Sequence, residues 1–336
     1  MKKLNALLAT ACLVGSVSLY PTITFAKTNI FSSLTNIQEQ GDKPDAASEK
    51  KAYDAYNAAN TEKDPNKRLS MVKEALQLYP KSQYVVYFKQ LIIKSHGENF
   101  QACMAPAGSE NMEGAFKVVN EVSTDLPDLE LNYLLALSDP IARFAKKYDT
   151  TYAEKGGAAL KKTIDLIKAD KKPQGVKDEE WAKKKPVILG SLYQTLGIFA
   201  WKAAKNDADA LNMFKESATQ DCSDPVTHYL IGEIKLATYN ELSKTYDALT
   251  DEQKTGDEGK AALEKINVVV DEILDTYGRM LAVSEGKAPY EKLRTAVSGS
   301  TENFWKFRHE QSTDGLQDFL AKFKSECPAS TAAPSN

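Results

Sequence analysis

The sequence predicts an all-α fold of paired antiparallel helices. Three observations carry that prediction. Apolar residues recur three or four positions apart through most of 48–327, which places them along one side of a helix. Strand signals are nearly absent, and the β-branched run Val268-Val269-Val270 lies inside a longer helical pattern. Short turns built from proline, asparagine, aspartate and glycine divide the chain into helical lengths that return on themselves.

Before the helices begin, Lys2 and Lys3 precede an apolar stretch, Leu7 to Leu19, and Thr24-Phe25-Ala26 follows as a small-x-small cleavage signature. Residues 1–26 therefore read as a secretory signal peptide. They predict an exported, periplasmic protein whose mature chain starts near Lys27. A lipoprotein signal with Cys12 as the anchor is the competing reading. Ala9 stands where a branched aliphatic is usual, and the apolar run continues beyond Cys12, which argues against it. No later segment reaches the roughly 18–20 apolar residues of a membrane-spanning helix, so the mature chain is expected to carry no transmembrane helix.

The chain has 336 residues with 43 basic and 46 acidic side chains, a net charge of −3 with histidine neutral. Loss of Lys2 and Lys3 with the signal peptide leaves 41 basic against 46 acidic, a net −5. That mild acidity gives no electrostatic footprint for nucleic acid. Residues 27–47 are polar and aperiodic and read as a flexible leader; 328–336 read as a disordered tail.

The N-terminal helical region, 48–170, opens with an alanine-rich helix from Ser48 to about Glu62. Asp64 is placed to cap the next helix, with Pro65 at its first position. Leu69, Val72, Leu76 and Tyr79 make one apolar face until Pro80 stops it. A third helix is expected over Tyr84–Ser95, and 96–110 is expected as a loop because it holds two glycines and a proline. Helices follow at 111–123, 128–138, 140–155 and 158–169. The charged, proline-bounded stretch 171–186 reads as a linker.

The C-terminal region, 187–327, is more regular, with helices at 187–204, 207–220, 225–249 and 257–285 and a final helix capped by Ser312-Thr313. Thr250-x-x-Gln253 has capping-box spacing. No calcium loop of alternating acids with a central glycine follows it.

Leu196-Gly197 recurs 35 positions on as Ile231-Gly232, Tyr193 is matched by His228, and Ala210 and Phe214 fall one turn apart on the helix between. These residues resemble the tetratricopeptide repeat, whose units run to about 34 residues. Gly197 stands at that family's first-helix glycine, Leu196 at its leucine, and Tyr193 at an aromatic position. Ala210 and Phe214 match the second-helix alanine and aromatic. Cys222 departs from the family's closing proline and Ser217 from a small apolar residue. Residues 49–82 resemble a second, looser repeat, and Tyr79-Pro80-Lys81-Ser82-Gln83-Tyr84 is similar to a link found in bacterial envelope repeat proteins, including outer-membrane assembly lipoproteins. The last third is similar to the ends of exported bacterial repeat proteins of no known activity. The resemblance implies a degenerate right-handed solenoid in which each helix pair covers the apolar face of the last.

Past Gly232 the pattern lengthens. Leu263, Ile266, Val270, Ile273, Tyr277 and Met280 alternate three and four apart, and Tyr239, Leu242, Tyr246 and Leu249 keep the same rhythm. This predicts a long helical hairpin packed along an a/d-type seam.

Chemistry-bearing patterns are sparse. No phosphate-cradling glycine loop and no nucleophile elbow occurs; Gly299-Ser300 belongs to a Ser-Gly-Ser turn. Asp271-Glu272 and Glu179-Glu180 fall on charged faces. His96 is read in a loop, His228 at a packed aromatic position, and His309 beside the last cap. Cys103, Cys222 and Cys327 fit no zinc spacing. Cys222 is read as a small buried residue, and whether any two of the three pair is open. No catalytic residue, cofactor or metal ligand is assigned.

The expectation is a non-enzymatic interaction module that holds a protein or peptide partner in the cell envelope. A structural subunit of an outer-membrane assembly or of the cell-wall machinery, and a cell-wall enzyme with an unrecognised site, are the alternatives. In the repeat family the first helix of each pair lines the concave surface. Counting from Gly197 gives Gln194, Ile198, Trp201 and Lys202; counting from Gly232 gives Tyr229, Glu233 and Leu236. Trp201 and Tyr229 have a second reading, as packing for the next helix pair.

Overall fold

The computed structural model describes residues 45–105, 108–325 and 327. The stretch read as a signal peptide, Cys12, the expected leader as far as 44 and the expected tail at 328–336 lie outside those residues. Among the described residues there are thirteen α-helices and no strand, as an all-α fold requires. The helices are α1 (Ala46–Thr61), α2 (Pro65–Leu78), α3 (Val85–Met104), α4 (Met112–Asp125), α5 (Glu130–Lys146), α6 (Ala153–Lys168), α7 (Asp178–Lys202), α8 (Asp207–Gln220), α9 (Pro225–Asp247), α10 (Asp251–Thr255), α11 (Asp257–Val283), α12 (Glu291–Arg308) and α13 (Leu316–Lys322).

Several ends obey the local signals. The Asp64 carboxylate accepts from the Asn66 and Lys67 N–H groups with Pro65 at the first position. Thr250 and Gln253 form the reciprocal capping box. Other expectations give way to packing. The loop expected over 96–110 starts only after Met104, because α3 continues through His96 and Gly97. That extension buries His96 and Phe100, and burial outweighs the roughly 1 kcal/mol a helical glycine costs. His96 is therefore a helix residue with no exposed surface, and its Nε2 lies 2.8 Å from Asp125 Oδ2.

The two helices expected at 128–138 and 140–155 are instead one helix, α5, with Pro140 inside it. Leu137 and Ile141 flank the proline and are wholly buried, so packing on both sides holds the helix through a residue that lacks a donor. Likewise α7 starts at Asp178, inside the stretch expected as a linker, and runs through Pro186. The final helix begins after Gly315, at φ 79°, rather than at a Ser312-Thr313 cap; Ser312 Oγ accepts from the Asp314 N–H.

The described residues form two compact units, 45–143 with 154–181, and 144–153 with 182–327. In the first, Ala59, Leu69, Val72, Ala75, Phe88, Leu91 and Ile92 close a core among α1, α2 and α3. Arg68 is buried there, donating from Nε and Nη2 to the Glu62 carbonyl at 3.1 and 2.8 Å and from Nη1 to Glu98 at 2.7 Å. A buried guanidinium survives only with such full pairing.

In the second unit the glycines set the helix crossings. A Cβ on Gly197 would stand 2.5 Å from the Phe214 ring, and one on Gly232 would stand 2.2 Å from the Tyr277 ring. Each glycine thus admits one aromatic from a neighbouring helix. Contacts pair 232 with 277 and 235 with 272, so α9 and α11 run antiparallel. Ile266, Val270, Ile273, Tyr277 and Met280 of the predicted seam are buried, with Tyr239 opposite and Leu242 and Tyr246 packed against the same core. Cys222 is joined to Cys327 by a disulfide across 105 residues, and Cys103 is a free thiol. The reading of Cys222 as a small packed residue is corrected by that bond.

Candidate functional site

Tyr277 does more than fill the space above Gly232. Its hydroxyl donates to Glu233 Oε1 at 3.0 Å, and the Tyr229 hydroxyl lies near the same carboxylate and favours its charged form. Tyr229 and Glu233 are four apart on α9 and so share one side of it. Desolvation raises the Glu233 pKa above the usual carboxylate value; the two hydroxyls and the Lys202 ammonium work against that rise. The hydroxyls of Tyr229 and Tyr277 are both pushed up, first by burial and then by the neighbouring carboxylate.

Lys202, in the last turn of α7, brings the opposite charge. Its Nζ lies 3.3 Å from the centre of the Trp201 ring and 4.7 Å from that of Tyr148. Burial lowers its pKa, and Glu233 and Asp207 oppose that effect. An ammonium over two ring faces is attracted by their negative quadrupoles, by about 0.5–2 kcal/mol each depending on exposure. Trp201 and Tyr148 meet edge to face at 6.3 Å. Tyr148 follows α5 in a left-handed backbone conformation, φ 56°, and is 40% exposed. A non-glycine residue at positive φ is uncommon, and here it turns the chain just where the tyrosine joins the patch.

The residues counted from the repeat glycines therefore divide. Trp201, Lys202, Tyr229 and Glu233 come together, half-buried, in one patch. Gln194 and Ile198 do not line it; both are buried at 3% exposure. Gln194 Nε2 donates to Asp224 and, at 2.8 Å, to Thr227 Oγ1, joining α7 to the cap of α9. Ile198 packs in the interior. Leu236 lies against the α9–α11–α12 core, one turn beyond Glu233. Two participants escaped the count. Tyr277 belongs to the seam pattern and could have been found by pairing seam aromatics with repeat glycines. Tyr148 comes from a distant turn, and no local signal marks it.

The histidines stand apart. His228 is buried, its Nε2–H donating to the Cys222 carbonyl at 2.9 Å, and desolvation lowers its pKa. His309 ends α12, stacked on Trp305 at 3.8 Å. Among the described residues no group of three His, Cys, Asp or Glu side chains is arranged to hold a metal ion, and no helix is long and apolar enough to cross a membrane.

The patch thus offers two ring faces, an ammonium and a hydrogen-bonded carboxylate side by side, which suits a ligand with apolar and polar groups in alternation. No family model, curated protein or solved structure matches the chain.

Proposed function

We propose that this protein is an exported, non-catalytic helical-repeat module that holds a protein or peptide partner in the bacterial cell envelope. The observation that carries the reading is the convergence of Tyr148 from the turn after α5, Trp201 and Lys202 from the last turn of α7, and Tyr229 and Glu233 from the first half of α9 into one partly exposed patch. Aromatic and charged anchors of this kind dominate peptide and protein contacts, with tryptophan and tyrosine the most enriched. On this reading α7–α8 is a tetratricopeptide-like pair in a degenerate right-handed solenoid, and α9 with α11 is a long hairpin continuing it. The shared glycine-to-aromatic packing at Gly197 and Gly232 supports that view.

A cell-wall enzyme is the second reading, and Glu233 is the observation that favours it. A carboxyl whose pKa is raised by desolvation beside a lysine is a common acid–base arrangement. The two readings separate by experiment. A photo-crosslinking amino acid at position 148 of the exported chain should trap one protein in living cells. A synthetic segment of that protein should then bind the purified chain, about tenfold or more weaker with Trp201→Ala. A crosslinked partner whose segment binds Trp201→Ala equally well would refute the interaction reading. Turnover of peptidoglycan fragments that disappears in Glu233→Gln would favour the enzyme.

A further inference from the structure

The turn Tyr79-Pro80-Lys81-Ser82-Gln83-Tyr84 has a role that the Lys202–Glu233 patch does not use. Tyr53 and Tyr56 lie three apart on α1, and Tyr84 and Tyr87 lie three apart at the start of α3. Each pair therefore points to one side of its helix, and the two sides meet. Ring centres are 5.4 Å apart for Tyr53 and Tyr84, 5.6 Å for Tyr56 and Tyr87, 5.9 Å for Tyr84 and Tyr87, and 6.1 Å for Tyr56 and Tyr84. Behind them Phe88, wholly buried, sets its ring edge-on to Tyr56 at 6.4 Å. In front lies an open depression of about 140 Å³ lined by Tyr56, Gln83, Tyr84 and Tyr87.

The depression is held in shape from below. Glu49 of α1 accepts from Ser82 Oγ at 2.9 Å and from the Gln83 N–H at 3.3 Å, and Ser82 Oγ accepts from the Tyr84 N–H at 3.1 Å. These bonds tie the turn to α1 through one carboxylate and leave the Gln83 side-chain amide out of the turn's own bonding. Tyr56 and Tyr84 also pack against the core of this unit, but a core role does not account for Tyr53 and Tyr87, which are each 46% exposed. Rigid tyrosines present contact area at low entropic cost, and a preformed site has less ordering still to do when it binds.

We propose that this depression binds an uncharged oligosaccharide. Its lining consists of three tyrosines and one glutamine, with no charged side chain among them. Ring faces suit a ligand with a flat C–H surface. Hydroxyl and carboxamide groups both donate and accept, which suits a polyol whose hydroxyls do the same. A proline-rich segment also offers a flat C–H face, but its backbone mainly accepts, so it would leave the acceptors of the lining unused. At about 140 Å³ the depression is smaller than drug-sized ligand sites, which run to roughly 300–1,000 Å³, so it seats about one sugar ring and leaves the rest of an oligosaccharide in solvent.

The test titrates the full mature chain with cellotetraose, maltotetraose and chitotetraose, and separately with decaproline, following the tyrosine ring signals by NMR. At least one tetrasaccharide should bind with a dissociation constant below roughly 10 mM. Tyr87→Ala and Gln83→Ala should each weaken it about tenfold, while Leu78→Ala, an exposed change outside the lining, should leave it unaltered. Tyr87→Phe keeps the packing and should weaken binding by a smaller factor through loss of one hydroxyl. Circular dichroism of each variant should match the parent. The proposal is overturned if none of the three saccharides shifts the tyrosine signals, if Tyr87→Ala and Gln83→Ala bind as the parent does, or if decaproline alone occupies the depression.

Discussion

Gly232→Ala is the most exacting small change available, because one methyl group reaches both the helix crossing and the site. The new Cβ would lie 2.2 Å from Tyr277 Cε1 and 2.7 Å from Cδ1. Ordinary carbon contacts are 3.5–4.0 Å, so the ring must withdraw by roughly 1.3 Å or more. Tyr277 is 2% exposed, so in a close-packed interior its ring moves only by displacing its neighbours. Overpacking of that kind costs about 1–3 kcal/mol. Moving the ring also breaks the 3.0 Å bond to Glu233, worth about 1.5–3 kcal/mol for a charged acceptor. Better helix propensity returns about 1 kcal/mol. The net loss is therefore roughly 1.5–5 kcal/mol. Gly299 is the matched control, since it lies in α12 and a Cβ there meets nothing within 4 Å. Gly299→Ala should stabilise by about 0.5–1 kcal/mol. Urea unfolding followed by circular dichroism compares the two midpoints. If Gly232→Ala is as stable as Gly299→Ala, Tyr277 does not close a tight crossing and the account of this site is wrong.

Three further outcomes are expected. Glu233 has a raised pKa in the folded state, so folded protein holds its proton more tightly than unfolded protein does. Its contribution to stability therefore falls as pH rises from the unfolded value, about 4.3, through the folded one. Relative to the parent, Glu233→Gln should gain stability between about pH 4 and pH 7; a constant difference across that range contradicts the raised value. Gly197→Leu should destabilise by at least about 1–3 kcal/mol, since Phe214 already stands where the side chain would go; an unchanged unfolding midpoint would remove Gly197 from the crossing. Reduction of Cys222–Cys327, which spans 105 residues, should cost up to about 4–5 kcal/mol by loop-closure entropy. Thiol labelling of the native protein should modify Cys103 and spare the other two, and labelling of all three would rule out the bond.

Features that depend on neighbours along the chain are legible in the amino-acid sequence. Asp64-Pro65 is read from two residues and Thr250-x-x-Gln253 from four, and both fold as caps. The glycine at 197 and the aromatic at 214 are legible through repeat spacing, and they meet. Prolines mislead, because Pro140 and Pro186 are stop signals locally and their cost is outweighed by burial of Leu137, Ile141, Ile188 and Leu189 around them. The site is half legible. Trp201, Lys202, Tyr229 and Glu233 follow from counting along two helices, but counting cannot tell an inward residue such as Gln194 from an outward one. Tyr148, lying 53 positions before Trp201, arrives through the tertiary fold, as does the pairing of Cys222 with Cys327.

The proposed role of the patch around Trp201 is to receive a partner. A chain in which Trp181 and Trp305 are changed to Phe makes Trp201 the sole tryptophan. Both replaced residues are buried; Trp181 Nε1 makes no hydrogen bond, whereas Trp305 Nε1 donates to the Asp314 carbonyl, so folding of the variant is checked first. Iodide should quench Trp201 in the free protein, because that side chain is only half-buried, and saturation with the segment captured at position 148 should protect it. A Trp201 that iodide cannot reach in the free protein, or that is quenched equally with the segment bound, contradicts that role.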